Sequence, residues 1–157
     1  MTITQEYTDG TLVITNLDPA SIAGIASSIK QNGEEKEYKH EIFMAGGAKT
    51  VLISDTEKDH RDFLNTVKDE RREFITLSWK LENGDSFGIT AGPYSVTMNS
   101  AEFNKSADGS SGKFRITFEY SGTAEFEFPH IKDIKDTDTQ IFHSLSQHTQ
   151  QKLMRKF

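Results

Sequence analysis

The sequence contains no cysteine and only three prolines in 157 residues. The first absence excludes disulfides, thiolate metal sites and a cysteine nucleophile. Long hydrophobic runs are missing too. No stretch approaches the roughly 20 apolar residues of a membrane-spanning helix, and Met1-Thr2-Ile3-Thr4-Gln5-Glu6 has neither the basic cluster nor the apolar run of a signal peptide. The expectation is a chain made in the cytoplasm and working without a membrane. Basic charge is also short: 18 Lys and Arg against 24 Asp and Glu leave a net charge of −6. The longest basic clusters, Arg71-Arg72 and Lys152-Leu153-Met154-Arg155-Lys156, are too small to grip a phosphate backbone tightly. An acidic surface would, however, suit a protein that nucleic acid must pass without sticking.

Catalytic equipment is equally sparse. Gly46-Gly47-Ala48-Lys49-Thr50 looks like the end of a phosphate loop, but Ala48 stands where Gly must precede the Lys, and a β-like run follows where a helix is required. A hairpin turn accounts for it better. Asp55, Glu57, Asp59, His60 and Asp62 could supply ligands or an acid–base pair only if they shared a helix face, which needs spacings of three or four. His60 instead falls at the edge of an apolar stripe, where a hydrogen-bonded structural histidine is expected. His40, His130, His143 and His148 lack ligand spacing, and there is no Gly-x-Ser-x-Gly. The sequence reads as a non-enzyme with no cofactor and no metal.

What is present is a lean but real core. Hydrophobic residues make up only 34%, yet eleven Phe, four Tyr and one Trp argue against disorder. The length fits a single domain spanning 1–157: a flexible arm over 1–10, a β-rich core over 11–129 and a helical extension over 130–157. Thr11-Leu12-Val13-Ile14-Thr15 reads as a strand. Asp18-Pro19 followed by Ile22, Ile25, Ala26 and Ile29 predicts a short helix ending at Asn32-Gly33. Residues 34–37 form a charged connector. Tyr38, His40, Ile42 and Met44 alternate into a hairpin across Gly46-Gly47. Ser54-Asp55-Thr56-Glu57 is a capping box opening a helix with His60, Phe63, Leu64 and Val67 on one face.

Ile75, Leu77, Trp79 and Leu81 then alternate with polar residues, which predicts an inward face, and Asn83-Gly84 turns the chain back through Phe87 and Ile89. Ala91-Gly92-Pro93 marks a bend. Residues 104–112 make a polar loop before the alternating strands of Phe114, Ile116, Phe118 and Tyr120, then Ala124, Phe126 and Phe128, whose aromatics suit a core better than a base-stacking platform. Ile141, Phe142, Leu145, Thr149 and Leu153 stripe a C-terminal helix over 138–156. The fold class is mainly β (α+β): an antiparallel β-sandwich or curled barrel with one main packed helix and a C-terminal helix.

The helix over 54–69, the hairpin Phe74-Ile75-Thr76-Leu77-Ser78-Trp79 through Asn83-Gly84 to Phe87-Gly88-Ile89, and the paired strands over 114–128 resemble, in order and size, the tail-tube proteins of tailed bacteriophages. The resemblance implies a structural virion protein, made in the host cytoplasm, whose sheets close across subunits into a ring, often hexameric. Rings would stack around a DNA conduit. It implies further copies of the chain and other virion proteins as partners, with DNA passing nearby without tight binding. By the same analogy, Glu34 and Glu35 in the connector, Lys105 and Asp108 in the loop, and Phe142, Leu145 and Leu153 in the terminal helix are candidate subunit contacts. A baseplate, connector or capsid-decoration role, or a non-enzymatic binding module, is the alternative.

Overall fold

The computed structural model describes residues 1–6, 10–80, 84–92, 102–105, 112–118 and 121–128. Its centre is a five-stranded antiparallel sheet in the order β5-β4-β3-β7-β6, with β3 at Ile22–Asn32, β4 at Glu35–Met44, β5 at Lys49–Ser54, β6 at Ile75–Lys80 and β7 at Ser86–Ala91. One helix, α1 (Glu57–Glu70), lies on one face. A three-stranded sheet of β8 (Glu102–Lys105), β9 (Gly112–Thr117) and β10 (Thr123–Phe128) reaches the other face. A separate ribbon pairs β1 (Thr2–Glu6) with β2 (Leu12–Asn16). Among the described residues the architecture is thus antiparallel sheets with one packed helix, mainly β as the alternation of apolar residues implies.

The most informative departure is β3. The expected helix over 19–32 is reduced to a single 3₁₀ turn at Pro19–Ser21, where Asp18 Oδ1 accepts from the Ala20 N–H at 3.1 Å, so the capping chemistry is real. Beyond it the chain is the central strand, paired on both sides and buried continuously from Ile22 to Ser28. A β-bulge between Ile22 and Gly24 explains the misleading spacing. The extra residue shifts the alternation by one, so Ile22 and Ile25 both enter the core beside α1. An i, i+3 stripe therefore arises here from a bulged strand. Asn32-Gly33 ends no helix: Asn32 pairs with Glu35, leaving Gly33 (φ 67°) and Glu34 as a two-residue hairpin turn. The expected connector over 34–37 is that turn and the start of β4.

The core beside α1 joins Ile3, Leu17, Ile22, Ile25, Ile42, Phe63, Val67 and Phe74. Ile3 corrects the expectation of a frayed arm, because it anchors the β1–β2 ribbon to this core, and Leu17 N–H donates to the Met1 carbonyl at 2.7 Å. The helix is capped at Thr56, whose hydroxyl accepts from Asp59 N–H at 3.1 Å, two residues later than the expected Ser54 cap. At its other end Arg71 stacks on Phe74, 4.3 Å from the ring centre, and donates through Nη1 to the carbonyls of Pro19, Ala20 and Ile22 at 2.8–3.2 Å. That clasp fixes the helix end to the bulged start of β3.

On the opposite face Phe118 is fully buried against Phe43, with ring centres 5.1 Å apart, directly over Gly24. A Cβ built on Gly24 would lie 2.1 Å from the Phe118 ring, so only glycine admits this packing. Ser121 Oγ donates to the Met44 carbonyl at 2.6 Å and ties the β9–β10 turn to β4. One residue expected to point inward on β6 does not. Ile75 is exposed, whereas its neighbour Thr76 is half-buried and bonded to the buried Thr90 hydroxyl at 2.9 Å. Thr76 and Ser78 lie on the helix side of the sheet. The bend after Gly92 and the C-terminal helix lie outside the described residues.

Candidate functional site

Two places in the molecule break the usual sorting of polar and apolar side chains. The first is a buried polar centre between α1 and the sheet. Register places Ser27 of β3 opposite His40 of β4, and the Ser27 hydroxyl donates to His40 Nδ1 at 2.7 Å. His40 Nε2 bonds the His60 backbone carbonyl at 2.8 Å. A carbonyl can only accept, so Nε2 carries the proton and Nδ1 is the acceptor. The two imidazoles stack nearly parallel, 3.8 Å apart and inclined by 8°, with Phe63 beside His40 and Tyr38 beside His60.

Burial drives the electrostatics of this pair. It lowers the His40 pKa to about 3, helped by the adjacent His60 and opposed by the His60 carbonyl. Burial lowers His60 as well, with the Glu57 carboxylate pulling the other way. Both rings are therefore neutral near pH 7. The Ser27–His40 bond ties β3 to β4, and the bond from His40 to the His60 carbonyl fastens α1 to the sheet. His60 differs from expectation in one respect: it is 4% exposed, but its Nδ1 is buried with no hydrogen-bond partner.

A cleft of about 200 Å³ opens beside this centre, with Glu57, His60 and Arg61 of α1 on one wall and Thr76, Ser78 and Ser86 of β6 and β7 across from them. Its wall charges balance, and its accessible lining is mostly apolar, with Ile29, Leu64 and Phe87 among the serines and Thr76. Among the described residues no three His, Asp or Glu side chains gather as a metal site.

The second place is apolar and exposed. Leu12, Val13 and Ile14 of β2 are 59%, 40% and 64% exposed, Val51 and Ile53 of β5 are 37% and 51%, and Ile75 of β6 is 41%. β2 pairs only with β1, β5 only with β4 and β6 only with β7, so each has a free outer edge among the described residues. Strands of this kind, apolar and unpaired, are what natural proteins normally blunt with charge or cover. The signal was present in the sequence. Three consecutive apolar residues in a strand point to alternate faces, so Leu12-Val13-Ile14 cannot all enter one core.

The residues proposed as subunit contacts are scattered. Glu34 sits exposed in the β3–β4 turn and Glu35 opens β4, also exposed. Lys105 ends β8. Asp108, Phe142, Leu145 and Leu153 lie outside the described residues. Among the described residues, Glu34 and Glu35 are neighbours at one hairpin turn, and the exposed apolar strand residues lie elsewhere, on β2, β5 and β6. No protein-family model, no curated protein and no solved structure matches this chain.

Proposed function

We propose that this protein is a self-assembling structural subunit of a virion, of the kind that builds a phage tail tube from stacked rings around a DNA conduit. The observation that carries the reading is the set of apolar strand residues left in solvent on β2, β5 and β6, beside strand edges that are free among the described residues. A chain with only 34% hydrophobic residues gains by burying them against copies of itself. The net charge of −6 supports a role beside DNA without retention of it. The buried histidine centre fits the same role, as an internal fastening with no substrate. Light scattering after size-exclusion chromatography, followed by negative-stain microscopy, tests the proposal. Rings or hollow tubes are the expected result; a monomer up to high concentration overturns it. A second reading, a binding module, rests on the mostly apolar cleft between α1 and β6–β7.

A further inference from the structure

We infer that the β1–β2 ribbon of one copy adds to the outer edge of β5 in a second copy, with β2 and β5 antiparallel. The inference rests on the self-assembly reading above and names the contact it uses. Among the described residues each strand is paired on one side only, so each offers an outer edge of backbone groups to an incoming strand. Among antiparallel alignments, one sets Leu12 opposite Ile53, Val13 opposite Leu52, Ile14 opposite Val51, Thr15 opposite Thr50 and Asn16 opposite Lys49. Every position then meets its like. The most exposed pair on β2, Leu12 and Ile14, covers the most exposed pair on β5, Ile53 and Val51, on a common face.

A two-fold contact of β2 with its own copy explains less. It would leave Val51 and Ile53 in solvent and close the assembly at a dimer. The β2–β5 contact joins two different surfaces, so every copy both gives a strand and receives one, and growth continues to a ring or a filament. The ribbon is suited to giving. It is held at its base by Ile3 and Leu17, while both faces of β2 remain open.

Because the chain has no cysteine, single engineered thiols report the contact without background. Chains carrying Ile14→Cys and chains carrying Val51→Cys are mixed and treated with a short bismaleimide, and the mass of the wild-type assembly is measured in parallel. The expected product is a covalent dimer in the mixture and none from either variant alone. A dimer from Ile14→Cys alone, or none in the mixture, overturns the contact. If wild type assembles while the mixture stays unlinked, the contact is rejected and the self-assembly proposal stands. If the mixture links but no rings form, the contact stands and the tube reading falls.

Discussion

The two exceptional regions of this molecule are opposites. Beneath α1 it buries histidine, serine and threonine; along β2 and β5 it leaves leucine, valine and isoleucine in water. The buried region is solved within the chain except at one atom, His60 Nδ1, which is buried without a hydrogen-bond partner. Ser27, His40 and the His60 carbonyl satisfy one another, and the cost of removing polar groups from water is offset bond by bond. The exposed region has no such solution, since no described residue covers it. The contrast teaches that polarity alone does not locate a functional surface. What matters is whether the chain itself completes the interaction.

The comparison can be broken most severely from the inside. His40→Ala removes a fully buried ring and strands both of its partners, so we expect a loss of about 3–4 kcal/mol in a urea titration. Acid acts on the same centre. In the folded protein His40 holds its proton only below about pH 3, while in the unfolded chain it titrates near 6.5. The unfolded state therefore binds the proton first, and stability is complete above pH 6.5 and falls as pH drops toward 3. The slope from this residue is about 1.4 kcal/mol per pH unit, or about 2–3 kcal/mol between pH 6.5 and 4.5. His60 shifts in the same direction and adds to it. Unfolding free energies across that range, in wild type and His40→Gln, read this directly; the variant should lose most of the slope. On the other face of the sheet Gly24→Ala drives a methyl into the Phe118 ring and should cost about 2 kcal/mol, measured by thermal unfolding.

How much of this was legible in the sequence varies by element, for physical reasons. The β4–β5 hairpin and α1 were readable because their signals are local. Tyr38 to Met44 alternate, Gly46-Gly47 turns, and a cap precedes a stripe of His60, Phe63 and Val67. β3 was not, because a bulge gave Ile22 and Ile25 the spacing of a helix and only pairing on both sides made it a strand. The half-burial of Thr76 on β6 was hidden for a similar reason: it finds its partner in Thr90, on another strand. The site was less legible still. His60 was visible at the edge of its stripe, but its stacking partner His40 lies twenty positions away and is brought near only by the sheet. At the surface, the absence of alternation in Leu12-Val13-Ile14 was the clue, and it is a clue about faces more than about function.

The smallest effect on stability should accompany the largest effect on assembly. Leu12→Lys with Ile14→Lys alters only exposed side chains, so the melting temperature should stay within about 2 °C of wild type. The most direct test of the central claim is the solution mass of this double variant beside wild type, by light scattering, with melting followed on the same samples. The account predicts a large assembly for wild type and a folded monomer for the variant. Equal masses for the two proteins, or a monomeric variant that has lost its fold, would contradict it.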